Sequence, residues 1–169
     1  GYDADSGEVT YTYVEDGTAA DHTDGDDSVV DGFTVVVTDL AGQSTSDSLD
    51  VTVLDTAPVA NADTRSIGEN RNAAVVGNVV DGTSATADTL GADAVTVTAV
   101  IAGAETAPVS DGAAAVITGE HGELTLAADG SYSYQSARDD LQYLAAGESV
   151  TDVYTYVITD ADGDTATTT

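Results

Sequence analysis

Apolar and polar side chains alternate along most of this sequence, in short runs that are rich in Val, Thr and Tyr. An alternation with a period of two is typical of a β-strand that buries one of its faces. Only residues 139–146 have the spacing of a helical turn or two. The pattern therefore predicts an all-β protein, and a sandwich of antiparallel sheets would bury one face of each strand. The predicted strands lie at residues 9–13, 33–37, 49–53, 95–99, 124–126, 132–134 and 154–158.

One predicted turn is especially well defined. Asp129 and Gly130 stand between two alternating runs. Asp-Gly is a strong signal for a two-residue hairpin loop, because a type I′ turn needs a positive φ at both central residues. We therefore expect a β-hairpin with a type I′ turn at this position.

The sequence also repeats itself over a domain-sized interval. Residues 28–45, moved forward by 121 positions, align without gaps with residues 149–166. A repeat of this length predicts a tandem array of whole β-domains rather than a solenoid of small units. The identical positions are Ser28/Ser149, Val29/Val150, Asp31/Asp152, Thr34/Thr155, Val36/Val157, Thr38/Thr159, Asp39/Asp160 and Gly42/Gly163.

The boundary between the repeats is expected at residues 55–63, where Pro58 interrupts the strand pattern. Proline cannot donate to a sheet ladder, and it stiffens an extended connection. Residues 1–56 are then the C-terminal portion of one β-sandwich repeat. Residues 57–169 are a second repeat that lacks its last strand, since its final residue aligns with Ser48 and so precedes the counterpart of residues 49–53.

Incomplete sandwiches leave strand edges that seek a partner. Two arrangements would satisfy these edges. In the first, residues 1–56 pack onto residues 57–169. In the second, a neighbouring copy of the chain donates strands head to tail, which builds a chain of subunits because the contact does not close on itself.

Charge narrows the possible partners. The 169 residues include 31 acidic side chains and three arginines, with no lysine and no cysteine, and the formal net charge is −28. Such a chain repels phosphate backbones and anionic headgroups, which argues against nucleic acid and a membrane surface as partners, and no apolar run is long enough for membrane insertion. Because the chain has so few cations, we expect an external one, and Ca²⁺ is the obvious candidate since it prefers oxygen ligands.

Three stretches of the second repeat resemble a known family. They read DGSYSY from Asp129, LAAGESVTD from Leu144 and YTYVITDADGD from Tyr154. Over residues 57–169 they are similar to the VCBS repeats, which are immunoglobulin-like or cadherin-like antiparallel β-sandwich modules of giant RTX-type bacterial adhesins exported by type I secretion. Residues 1–56 resemble the end of a related repeat and carry an acidic insertion at residues 15–27.

The resemblance implies a location and a role. The module would lie outside the cell, at the cell surface, between neighbouring repeats of the same protein. It would be a structural extender, rigidified by calcium, that supports cell adhesion or biofilm formation.

The strongest candidate metal ligands are Asp160, Asp162 and Asp164, which place three carboxylates at alternate positions of one turn. Alternating Asp around a Gly is how calcium loops gather oxygens, although the distant Glu of an EF-hand is missing. A solvated hairpin turn is the competing interpretation, because Asp and Gly favour turns without any metal. The aligned loop of the first repeat keeps one acid, Asp39, which indicates that the turn can form without a metal.

A second candidate calcium site lies in the linker between the repeats. It comprises Asp55, Asn61, Asp63 and Glu69. An ion shared by oxygens from two domains would turn a flexible hinge into a rod. The alternative is a solvated linker. The densest acidic run, Asp21 to Asp27, is interpreted as an exposed loop.

Two other functions stay open. The chain can instead be a β-sandwich that binds a glycan or a protein through its loops, or the subunit of a head-to-tail filament or surface layer. We expect no enzymatic activity, because the sequence has no nucleophile elbow and no phosphate-binding glycine motif.

Overall fold

The computed structural model describes residues 2–3, 5–14, 28–69, 72–105 and 116–169. Within these ranges the regular structure is β, apart from one 3-10 turn at Arg138–Leu141, and no helix is long and apolar enough to span a membrane. The acidic insertion at residues 15–27 lies outside the described part. The strands are β1 Ser28–Thr38, β2 Ser44–Leu54, β3 Val75–Asn78, β4 Thr96–Ala102, β5 Val116–Thr118, β6 Gly122–Leu126, β7 Ser131–Ser136, β8 Tyr154–Thr159 and β9 Thr165–Thr168.

The described strands form three antiparallel sheets. One is the two-stranded β1-β2 hairpin, the second has the order β3-β7-β6-β5, and the third has the order β4-β8-β9. The apolar faces of the second and third sheets share one hydrophobic core, so these residues form an all-β arrangement consistent with a β-sandwich. The core residues are Val79, Val97, Val100, Leu124, Leu126, Tyr156 and Ile158.

The two segments that align in sequence belong to hairpins with the same strand register. The β1-β2 hairpin and the β8-β9 hairpin pair in the same register once their numbers are offset by 121. The aligned pairs are Thr38/Ser44 with Thr159/Thr165, Val37/Thr45 with Ile158/Ala166, Val36/Ser46 with Val157/Thr167, and Val35/Asp47 with Tyr156/Thr168.

A cross-sheet contact repeats at the same offset. The Tyr134 and Tyr154 rings meet edge to face with centroids 6.3 Å apart, and the Tyr134 hydroxyl donates to Asp152 over 2.8 Å. In the first repeat, the ring of Tyr13 meets that of Phe33 at 6.3 Å, and its hydroxyl donates to Asp31 over 2.7 Å. Tyr13 therefore contacts β1 in the way that Tyr134 of β7 contacts β8 and Asp152.

The predicted strand at residues 9–13 is nevertheless wrong. Val9 makes one isolated bridge to Tyr2, and the rest of this segment joins no ladder in the described part of the chain. Alternation predicts which face of a segment is apolar, but a strand also needs a neighbouring strand to accept its hydrogen bonds. Tyr13 contacts the hairpin through its side chain, by the ring of Phe33 and the carboxylate of Asp31.

The turn between β6 and β7 also differs from the prediction. Gly130 has a φ of 80°, whereas Asp129 is absent from the non-glycine residues with positive φ, so the turn is not type I′. The Ala127 amide donates to the Ser131 carbonyl, and the Gly130 amide donates to the Ala127 carbonyl. This is a longer loop that closes with glycine in the left-handed conformation, the usual alternative to a two-residue turn.

Residues 55–59 connect the hairpin to the sandwich by close backbone contact. Val59 and Thr89 exchange backbone hydrogen bonds of 2.8 and 2.9 Å, and Pro58 is buried. Gly91 has a φ of 78°, and a Cβ there would lie 2.0 Å from the Thr56 carbonyl oxygen. Among the described strands, β1 and β2 make their extensive contacts with each other, so the hairpin is joined to the sandwich mainly through this connection.

Candidate metal centre

The β8-β9 turn is built by one of its own carboxylates. The Oδ1 atom of Asp160 accepts hydrogen bonds from the amides of Gly163 (3.0 Å) and Asp164 (2.7 Å). Asp39 does the same in the β1-β2 turn, where its Oδ1 accepts from the amides of Ala41 and Gln43. Asp39 therefore acts as a turn-forming residue, and Asp160 has this role in addition to any role in metal binding.

Five acidic residues from three segments meet at this turn. Single carboxylate oxygens of Asp55, Asp93 and Asp162 lie within 4.8 Å of one another, and so do oxygens of Asp55, Asp160 and Asp164. We call these five residues the acidic cluster. Asp55 follows β2, Asp93 precedes β4, and the other three form the β8-β9 turn, so the cluster lies where the hairpin, the linker and the sandwich converge.

The cluster concentrates negative charge in a partly buried place. The Asp160 side chain is 9% exposed, and the other four are half-buried. Burial raises the pKa of Asp160 above its ordinary value, and a hydrogen bond with Asp162 raises this pKa further, against the lowering effect of the two turn amides. Two carboxyl groups in such contact need a proton or a cation between them.

The donor set fits a calcium ion. Ca²⁺ binds six to eight oxygens at about 2.3–2.6 Å, so two oxygens on one ion lie at most about 5.2 Å apart. The two triads meet this limit. The side chain of Asp162 is half-buried and shares a hydrogen bond with that of Asp160. The residues of either triad would hold the ion, which would supply positive charge to this cluster.

The sequence divided these acids differently. It assigned Asp55 to a linker site and the three turn acids to another site, whereas the structure brings them together. Asp93 was missed because it stands alone in sequence, in the segment Gly-Ala-Asp-Ala. The signal for Asp93 is its position just before β4. Because β4 is hydrogen-bonded to β8 and its first residue lies opposite the last residue of β8, Asp93 lies beside the β8-β9 turn.

Asn61 and Asp63 take part in a separate network. The Asn61 amide donates to Asp88 Oδ1 over 2.7 Å, and the Thr86 amide donates to Asp63 Oδ1 over 2.6 Å. The hydroxyl of Tyr156 lies 3.1 Å from Asp63 Oδ2 and 3.5 Å from Asp88 Oδ2. This network fastens the linker to the core. No triad of acidic oxygens in the described residues includes Asp63 or Glu69, and Glu69 instead lines a cleft on the sandwich.

Burial raises the pKa values of both Asp63 and Asp88, and the negative charge of Asp63 adds to the rise at Asp88. The stability that such groups contribute is fully present below their unfolded pKa and is lost as pH rises through the folded pKa. At neutral pH both carboxylates therefore oppose folding. The pKa of Tyr156 is raised as well, by burial and by the two carboxylates, and this keeps its hydroxyl protonated as a donor.

We expect Asp88→Asn to stabilise the protein by about 0.5 kcal/mol at pH 7, because the amide oxygen still accepts from Asn61 while one of two close negative charges is removed. The gain should disappear as pH falls below about 4, where the carboxylates are neutral in both proteins. Urea unfolding in chelator between pH 3.5 and 7.5 measures it. Asp47→Asn on exposed β2 removes the same charge and serves as control; an equal effect of both variants at every pH would contradict the prediction.

Comparison with known proteins adds no identification: the chain matches no protein-family model and no curated protein sequence.

Proposed function

We propose that this chain is a spacer segment of an extracellular, surface-anchored bacterial adhesin, built from tandem immunoglobulin-like or cadherin-like repeats and rigidified by calcium. It works by length and stiffness rather than by catalysis. Its partners are the neighbouring repeats of the same protein.

The position of the acidic cluster carries this proposal. Asp55 belongs to the connection that leaves the hairpin, whereas Asp93, Asp160, Asp162 and Asp164 belong to the sandwich. An ion held by both groups would fix the angle between the two parts, and without it five carboxylates would repel one another. Calcium bound here would therefore stiffen the connection between the two parts and would take no part in a reaction.

Repetition of the local structure supports the tandem arrangement. The hairpin register, the edge-to-face ring pair and the hydroxyl-to-aspartate hydrogen bond all recur at an offset of 121 residues. Contacts that recur together at one spacing are those of two copies of one module. The sequence resemblance to VCBS repeats agrees with such modules.

The absence of cysteine makes a direct test of stiffness simple, because two introduced cysteines are the only sites for a thiol-directed spin label. Ser46→Cys and Thr125→Cys, at exposed positions of β2 and β6, place one label on the hairpin and one on the sandwich. Pulsed electron paramagnetic resonance should give a narrow distance distribution in calcium and a broad one in chelator. Magnesium at the same ionic strength should leave the distribution broad.

A matched variant separates the cluster from calcium effects elsewhere. Asp55→Asn in the doubly labelled chain removes the one ligand that the connection contributes. Its distance distribution should stay broad at calcium concentrations that narrow the parent's. Equal widths in calcium and chelator for the parent would refute the spacer mechanism.

A further inference from the structure

A large cleft lies beside β8 and next to Thr169, the residue that follows β9. Its volume is about 890 Å³, far larger than the water-sized voids of a packed protein interior. Leu124, Leu126 and Tyr134 of the four-stranded sheet form its floor. Its walls include residues 63–69 and residues 148–154, and we call this cleft the strand slot.

The strand slot is continuous with β9. The ladder between β8 and β9 runs from Thr159/Thr165 to Tyr156/Thr168. Beyond it, the Asp63 amide donates to the Thr169 carbonyl over 2.9 Å, so β9 also contacts the other wall. A strand that extended β9 would therefore run alongside residues 149–154 and enter the cleft that residues 63–69 also line.

The β1-β2 hairpin shows what such an extension looks like. In β1 the residues equivalent to 149–154 are fully paired with β2, through Phe33/Leu49, Asp31/Val51 and Val29/Val53. Residues 149–153 are in no strand, although they align with the first five residues of β1. Over the equivalent stretch, residues 49–54 of β2 provide the partner of β1.

We propose that the strand slot binds one extended β-strand, in line with β9 and antiparallel to residues 149–154, with apolar side chains at every second position as in residues 49–54. In the hairpin, Leu49 lies opposite Phe33, the counterpart of Tyr154. The bound strand's apolar side chains therefore share a face with Tyr154, whose ring contacts Tyr134. That face is directed at the apolar floor of the slot, while the alternate Asp and Thr side chains are directed outward.

The register assigns each pair of the new ladder. The first residue after Thr169 lies opposite Tyr154, the third opposite Asp152 and the fifth opposite Val150. Asp152 already accepts from the amides of Glu120 and His121 and from the hydroxyl of Tyr134, so it is held in place before the strand binds. The slot thus has fixed walls, which lowers the ordering cost of binding a strand.

The test is to supply the strand from the chain's own sequence. The seven residues Leu-Asp-Val-Thr-Val-Leu-Asp of positions 49–55 are added directly after Thr169. The control carries the same seven residues after one inserted serine, which turns every apolar side chain to the opposite face. The in-register tail should raise the melting temperature by about 5 °C or more and should slow amide exchange at residues 150–153; the shifted tail should do neither.

A second measurement covers the case in which the extended chain fails to fold. The free heptapeptide is then added to the unextended chain, and NMR should show shifts at residues 64–68 and 150–153 that a peptide with Ser at its Leu and Val positions does not cause. Equal melting and exchange for both tails, or no difference between the peptides, would overturn the proposal. So would a tail effect that grows with protein concentration, since the strand would then bind a second copy.

The strand slot proposal is independent of calcium. Both tails are therefore compared in chelator and in calcium. A difference between the tails without a calcium effect would refute the proposed function but not the strand slot. A calcium effect without a difference between the tails would refute the strand slot but not the proposed function.

Discussion

Removing calcium should lower the melting temperature of this protein by about 5–10 °C. An ion at about a hundred times its Kd adds about 2.7 kcal/mol to stability, and in a chain of this length each kcal/mol shifts the melting temperature by about 2–4 °C. Since extracellular modules have Kd values of about 10⁻⁴–10⁻³ M, about 10 mM calcium is the appropriate concentration. Thermal unfolding followed by circular dichroism, in calcium and in chelator at matched ionic strength, measures the difference.

Variants within the acidic cluster show whether the shift comes from this site. Asp162→Asn and Asp93→Asn should each remove most of the calcium-dependent shift, because each withdraws a charged oxygen while leaving the turn intact. Asp160 is a poor choice for this purpose, since it also accepts from the amides of Gly163 and Asp164. Asp47→Asn on β2 is the matched control, because it removes one exposed carboxylate that belongs to no triad of described acidic oxygens.

Two results would count against calcium at the cluster. Superimposable melting curves in calcium and chelator would remove the ion from the explanation of stability. If both Asp162→Asn and Asp93→Asn kept the full calcium-dependent shift in melting temperature, the ion would have to bind elsewhere in the chain. Magnesium should substitute poorly, because it requires a smaller octahedral site and keeps its own waters.

The sequence predicted local structure well where a residue's neighbours along the chain determine it. Six of the seven alternating runs lie in or overlap strands, and the turn at Asp160 forms as the Asp-x-Asp-Gly-Asp spacing suggests. The short strands β3, β5 and β9 were not predicted, because three or four residues give too little alternation to recognise.

Contacts between distant segments were predicted less well. Asp93 joins the acidic cluster only because β4 is hydrogen-bonded to β8, and nothing next to it in sequence indicates this. Asp63 resembles a linker ligand in sequence, but Thr86 and Tyr156, both distant along the chain, engage its carboxylate. A tandem repeat indicates which residues are equivalent, whereas the partners of each copy depend on what surrounds it.

Ile158 and Val37 show this difference most directly, because they occupy the same repeat position and the same hairpin register. Ile158 is fully buried in the core between two sheets, whereas Val37 is 49% exposed on a two-stranded hairpin. Ile158→Ala should therefore destabilise the protein by about 3–4 kcal/mol, since it removes buried apolar volume and leaves a cavity. Val37→Ala should cost about 0.5 kcal/mol, because half of its surface is already in water.

Urea unfolding of both variants in saturating calcium measures the two losses of stability. The expected difference between them greatly exceeds the roughly 1 kcal/mol that the additional methylene of isoleucine contributes. Ile158→Val measures the contribution of this methylene directly, and we expect it to cost about 1 kcal/mol. Losses of similar size for Ile158→Ala and Val37→Ala would mean that the hairpin face is as well covered as the core, and therefore that another surface packs on β1 and β2 in solution. A large loss at Ile158 alone establishes that burial follows from the opposing sheet, which residues 75–78 and 116–136 supply to the second repeat, and not from the sequence of the hairpin.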